Sequence, residues 1–395
     1  MKFSPQEIDR FRAETPGTAQ RNHLNNAGAA LPPNCVTDAV IEYLQTEAVV
    51  GGYELKAQRA TAIEGFYEAT ADLLHTKARN IAYTSSATDS FARVLGSIPF
   101  QKGDVIITTD DDYVSNQLAF LSLQNRFGIR LLRCPVLPSG GFDPEAMTQM
   151  ILKERPKLVA ITHVPTNSGL IQDVESIGAV CRQEGIWYLV DACQSVGQMD
   201  VDVNKIGCDF LSATGRKFLR GPRGTGFLYA SDRALNSKLE PLFFDLRGAT
   251  WEAQDAYTVA ESAKKYEYWE LPYALLIGFS EALQYISRIG INRIHQRVQM
   301  LHEYTRSKLL EVPNLRMMDR GSQLCSIVTC HIDGQKPEHI QKFLFQNGIN
   351  TSYTNIGSAI IDFERKQIDW VLRISPHYYN TVTEIDQCVE VLKQL

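Results

Sequence analysis

IWYLVDACQSVGQMDVDVNKIGCDFLSATGRKFLRGPRGTGFLY, residues 186 to 229, carries the pattern around which the rest of the chain is arranged. An apolar run, Ile186 to Val190, ends in an acid, Asp191, and a second, Cys208 to Leu211, leads through small polar residues to Lys217. Short apolar runs closed by polar residues read as buried strands, and open α/β sheets bind ligands outside the carboxyl ends of their strands. The order therefore delivers an acid and a lysine to one sheet edge. A carboxylate there is costly without a partner. A lysine between Arg216 and Arg220 gives up its proton more readily, as an amine nucleophile must. An acid and an activated lysine match pyridoxal phosphate chemistry, in which the lysine forms the Schiff base and the acid keeps the pyridine nitrogen protonated. A solvated basic loop beside an N-capping aspartate is the alternative these residues alone leave open.

The 395 residues suffice for two domains, or for one large domain with a smaller satellite. A hydrophobic share of 44%, a charged share of 22% and a net charge of -5 are those of a soluble globular enzyme and give no reason to expect nucleic acid or anionic membrane. A small-molecule ligand is expected. The N-terminus, MKFSPQEIDRFRAETPG, is charged throughout and has no apolar core of a signal peptide. The eight cysteines form no CxxC pair, and Cys325 and Cys330 lack a histidine array for zinc, so no metal site is expected. They read as reduced thiols in a cytoplasmic protein.

Upstream, residues 1–24 form an arm, and HLNNAGAALPP at 23–33 is an irregular segment, either approaching a ligand or simply connecting. Residues 35–74 predict two helices broken near Gly51-Gly52. NIAYTSSATDSFARVLGSI predicts a strand, a turn of small hydroxyl residues and a helix from about Thr88. Ser86, Ala87 and Thr88 there are candidate phosphate binders or an ordinary N-cap. DVIITT at 104–109 is a strand closed by DDDYVSNQ, in which Tyr113 offers an aromatic face and Asn116 an amide at the helix start. Asn167, in THVPTNSG, again falls just past a strand. This strand–helix rhythm implies an α/β fold with a mainly parallel sheet. After Tyr229 the rhythm changes, giving a large domain over 25–246 and a small α+β domain over 247–395. A long helical stretch from about Tyr273 to Leu310 connects them, and the last part reads strand, strand, helix, loop, strand, helix.

Four motifs in order, LNNAGAA at 24–30, TSSATDS at 84–90, VDACQSVG at 190–197 and SATGRK at 212–217, resemble the class V aminotransferase and cysteine desulfurase group of fold-type-I pyridoxal phosphate enzymes. The resemblance covers nearly the whole chain. It implies a seven-stranded large domain, a homodimer, and pyridoxal 5'-phosphate as cofactor. Lys217 becomes the Schiff-base lysine and Asp191 the partner of the pyridine nitrogen. Gln194 and Asn167 contact the ring hydroxyl. Ser86, Ala87, Thr88 and Thr214 hold the phosphate, and Tyr113 stacks on the ring. Arg373, in VLRISPHYYNT, matches the family's carboxylate-binding arginine, which a planar bidentate guanidinium suits, and Asn26 joins it as a substrate-binding candidate. His377, Tyr378 and Tyr379 line the entrance or pack the small domain.

Two departures narrow the activity. Residues 347–372 contain no cysteine, where cysteine desulfurases resemble one another in carrying a sulfur acceptor. Arg216 and Tyr113 replace two usual histidines, as in the branch that includes isopenicillin N epimerase-like proteins and ergothioneine-pathway sulfoxide lyases. The expectation is a lyase that cleaves the C–S bond of a cysteine-derived substrate, with an aminotransferase or an epimerase as the alternative and a non-catalytic cofactor-binding protein as a further one. Tyr53, Trp251, Tyr266 and Trp269 either shape a bulkier substrate pocket or belong to the core.

Overall fold

The computed structural model describes residues 3–395. Its central sheet is built from β1 (Ile81–Thr84), β2 (Val105–Thr108), β3 (Arg130–Arg133), β4 (Leu158–Thr162), β5 (Trp187–Asp191), β6 (Phe210–Thr214) and β7 (Gly226–Ala230). The strands lie in the order β1-β7-β6-β5-β4-β2-β3. β3, β2, β4, β5 and β6 run parallel, whereas β7 is antiparallel to both β6 and β1. The reversal follows from the connection. Residues 215–225 hold no helix to carry the chain back across the sheet, so β7 returns beside β6 as an antiparallel neighbour.

β1, β2, β4, β6 and β7 are buried along their whole length, as expected of a sheet covered on both faces. One covering layer packs helix Tyr273–Ile289 against Asn34–Val50 and Ala60–Leu73. Tyr273–Ile289 is apolar on nearly every side, so only a position between other elements can bury it. Two helical expectations need correction. The 35–74 region makes three helices, with Gly52–Gln58 set between the other two by Gly51 at φ +103°. The stretch from Tyr273 is divided at Gly290, φ +90°, into Tyr273–Ile289 and Ile291–Leu309.

The C-terminal sheet contains β8 (Leu315–Met317), β9 (Val328–Ile332), β10 (Ser352–Asn355) and β11 (Trp370–Ile374), antiparallel in the order β8-β9-β11-β10. The segment read as a loop therefore holds a strand, β10, and a short helix, Ile360–Lys366. Leu24 lies in the core of this small sheet with Val328, Leu372 and Cys388, and Asn22 and His23 pair with Ile349 and Asn350. Leu271 to Ile289 instead contribute to the core of the large sheet. Leu24 thus packs with the small sheet, while Phe11 of the same arm packs with the large core. Among the described residues, no helix is long and apolar enough to cross a membrane.

Candidate active site

The carboxyl ends of three adjacent strands set the site. Register pairs Thr162 of β4 with Asp191 of β5 and Asp191 with Ser212 of β6, so these side chains stand in one row. Beyond that row opens a cavity of ≈ 300 Å³. Its walls include Ser86, Ala87, Thr88, Tyr113, Asp191, Gln194, Thr214 and Lys217, eight of the residues singled out from sequence.

Ser86 caps helix Ala87–Ser97, its hydroxyl accepting from the Asp89 N–H at 3.2 Å. The first N–H groups of a helix have no intrahelical acceptor, and here they open toward the cavity beside Thr214. Thr214 donates to the Thr225 carbonyl at 3.1 Å, which fixes its side chain against the turn after Lys217. Asp191, buried, accepts from the Cys193 N–H at 3.0 Å and from Asn116 Nδ2 at 3.1 Å. Lys217 is buried in the same wall and forms no ion pair among the described residues. Its amine is held below the ordinary lysine value by burial first, with Arg216 and Arg373 adding to the effect against Cys193 and Asp191. The sequence explanation is thus corrected. Arg220 points away, donating to Leu31, Thr15 and Tyr378, and Arg373 takes its place as the second repelling cation.

Three candidates sit differently from their expectation. Asn167 is buried and donates to Asp362 Oδ2 at 2.7 Å, away from the cavity lining, because Asp362 needs donors besides Lys366. Asn26 is wholly buried and occupied: its Nδ2 donates to the Ser375 carbonyl at 2.8 Å, and its Oδ1 accepts from Tyr379 at 2.5 Å. Its neighbour Asn25 instead faces Arg373, at 3.5 Å. Arg373 is buried behind the wall, donating to Ser352 Oγ and to the Thr166 carbonyl, both at 3.1 Å. Burial and the Arg216 charge push its pKa down to about 10, so it remains a cation at neutral pH. His377, Tyr378 and Tyr379 are fully buried packing residues. Tyr266 is core, while Tyr53, Trp251 and Trp269 are exposed and line no part of this cavity.

Sequence reasoning passed over Thr162, Thr166, Cys193 and Arg223, which also line the cavity. It also passed over Asp112, which stands behind Asn116. Asp112 was hidden in a run of three identical acids; its spacing of four from Asn116 was the available signal.

The donor set fits pyridoxal phosphate. A helix N-terminus with hydroxyls suits a phosphate, a buried acid suits a protonated pyridine nitrogen, and a depressed lysine suits a Schiff base. Gln194 Oε1 is buried without a partner at the same wall, an unspent polar atom of the kind a bound ring satisfies. Residues 22–388 match the family described as Aminotransferase class-V. The chain belongs to that family.

This class-V family member is 28% identical over 390 residues to a probable cysteine desulfurase of Methanothermobacter thermautotrophicus, with 97% of each chain covered. It is 27% identical over 386 residues to a probable hercynylcysteine sulfoxide lyase of Mycobacterium tuberculosis, covering 97% of this chain and 92% of the relative. The solved apo structure of a cysteine desulfurase from Thermococcus onnurineus NA1 superposes with a TM-score of 0.90 at 26% identity, over 100% of this chain and 99% of the other. The class-V protein is accordingly an enzyme, and its cofactor is pyridoxal 5'-phosphate.

Proposed function

We propose that this enzyme cleaves the C–S bond of an S-substituted cysteine or its sulfoxide by β-elimination. The observation that carries this reading is the state of the thiols. Residues 347–372 have no cysteine to receive sulfur, and burial pushes the thiol of Cys193, the one cysteine among the described residues along the cavity wall, up to about 12. A protonated thiol is a poor nucleophile, so sulfur leaves with its own substituent. The probable hercynylcysteine sulfoxide lyase among the relatives supports the same class of substrate.

When bound, pyridoxal phosphate supplies the electron sink for the charge that develops at the substrate's Cα. Asp191 holds the proton on the pyridine nitrogen. Arg373 binds the α-carboxylate, and the amine of Lys217, whose proton burial makes easier to lose, takes the proton from Cα. The Cβ–S bond then breaks with its electron pair on sulfur, and the aminoacrylate left behind hydrolyses to pyruvate and ammonia. Ser86, Ala87, Thr88 and Thr214 hold the phosphate, Tyr113 covers the ring, and Gln194 meets its hydroxyl.

We further infer a homodimer. Leu242, Phe243, Leu246 and Trp251 are 70 to 78% exposed on and beside the hairpin Ala249–Val259, and a second copy of the chain would cover such apolar side chains. Eight unpaired cysteines are consistent with a reducing, cytoplasmic setting.

The test is to incubate holoenzyme with S-ethylcysteine sulfoxide without a keto acid. Pyruvate formed together with ethanesulfenic acid, read as its thiosulfinate condensation product at about one per two pyruvates, supports the lyase. Turnover that requires a keto-acid acceptor, or only inversion at Cα, replaces it with an aminotransferase or epimerase.

A further inference from the structure

Asp112 is buried behind the cavity. It accepts from Thr162 Oγ1 at 2.5 Å, Gln117 Nε2 at 2.6 Å, the Tyr113 N–H at 2.7 Å, Asn116 Nδ2 at 3.0 Å and Thr108 Oγ1 at 3.3 Å. Three of these five groups can only donate, so the geometry is that of an ionised carboxylate. Burial raises its pKa, and the bonds from Thr162, Asn116 and Gln117 draw it back. No ion pair among the described residues includes Asp112. Arg133 reaches it only through Gln117, whose Oε1 accepts from Arg133 Nη2 at 2.7 Å.

The amide of Asn116 joins this carboxylate to the next. Its Nδ2 lies 3.0 Å from Asp112 Oδ1 and 3.1 Å from Asp191 Oδ2, one N–H serving each acid. Two buried carboxylates on one amide repel each other, and this arrangement is costly unless a positive charge meets them. The open side of Asp191 is the cavity, where the cofactor's pyridine nitrogen belongs.

We propose that Asp112 is a positioning residue for Asp191: through the shared Asn116 amide it fixes the orientation of the Asp191 carboxylate and adds a second negative charge that keeps the pyridine nitrogen protonated. The inference rests on the cofactor assignment and holds whichever bond of the substrate is cleaved. The charged groups facing Asp112 are Asp191 across Asn116 and Arg133 across Gln117; Tyr113 contributes its N–H.

Holoenzyme reconstituted with pyridoxal phosphate labelled with ¹⁵N in the ring gives the protonation state of that nitrogen directly by NMR. Asp112→Asn removes the charge, and Asn116→Ala removes the bridge while leaving the four other donors to Asp112. In both variants the pH midpoint of the ring nitrogen falls by about one unit or more relative to wild type. A folded Asp112→Asn or Asn116→Ala enzyme whose midpoint stays with that of wild type overturns the proposal. Where Asp112→Asn fails to fold, Asn116→Ala decides. The pyruvate assay is independent: a shifted midpoint with no pyruvate upholds this relay and rejects only the lyase.

Discussion

Arg373 Nη1 donates to the Thr166 carbonyl at 3.1 Å, which ties an arginine of the small sheet, behind the wall, to a residue that lines a cavity built by the large one. The guanidinium has no carboxylate partner among the described residues, and its Nε is steadied by Ser352. A buried cation in that condition is costly unless an anion meets it. The substrate carboxylate proposed above would meet it and join the two units of the chain through the site.

Substitution of this arginine separates binding from chemistry. Arg373→Ala raises KM for the amino acid by about 100-fold, the value of a charge-assisted pair. Arg373→Lys recovers only part of it, because an ammonium lacks the bidentate fork. Steady-state kinetics checks both; an unchanged KM for Arg373→Ala removes Arg373 from the substrate site.

Ser86 performs two tasks that one variant separates. Ser86→Ala loses the cap of helix Ala87–Ser97 and costs about 1 kcal/mol in urea unfolding of the apoprotein. It also weakens pyridoxal phosphate binding, measured by fluorescence titration. A capping loss without a change in cofactor affinity would show the hydroxyl to be purely structural.

The sheet was legible because most of its strands are short apolar runs, and three of them close on a polar residue at the ligand edge: Thr84, Asp191 and Thr214. Lys217 followed from the same order. What sequence did not resolve was direction within a polar cluster. Asn25 and Asn26 are adjacent and chemically identical, yet Asn26 bonds to Ser375 and Tyr379 while Asn25 faces Arg373. Asn167 was drawn off by Asp362, nearly two hundred residues away in the chain, a partner no local pattern reveals. That Tyr273–Ile289 packs with the large core was not legible, because it lies beyond a polar hairpin that breaks the sequence rhythm.

Acid weakens this fold through its buried histidines. Burial pushes His163 and His302 down to about 4, below the ordinary histidine value of 6.5. Between those values the unfolded chain binds the protons and the folded one does not. Their stabilising contribution is therefore complete above pH 6.5 and is lost as pH falls toward 4, by roughly 2 to 3 kcal/mol for each. Urea unfolding followed from pH 7.5 to 4.5 measures this slope. His163→Asn makes it shallower; an equal slope in the variant assigns the acid sensitivity elsewhere.

A pair of glycines tests whether the contact of Arg373 with Thr166 is transmitted through the backbone. A Cβ on Gly169 falls 2.2 Å from the carbonyl oxygen of Ile327, and one on Gly178 falls 1.8 Å from that of Ile206. Both clashes are with backbone, so both alanine variants lose about 1 to 3 kcal/mol or more of stability. Their positions differ in consequence. Ile327 directly precedes β9, where Thr329 stands opposite Arg373 in register, and Gly169 follows the Thr166 carbonyl that Arg373 holds. Gly169→Ala therefore shifts the arginine relative to its seat and raises KM for the amino acid, whereas Gly178→Ala, between a helix and the turn after Ile206, leaves KM as it is. Equal KM values in the two variants would mean that the small sheet can move against the large one without disturbing the substrate's carboxylate.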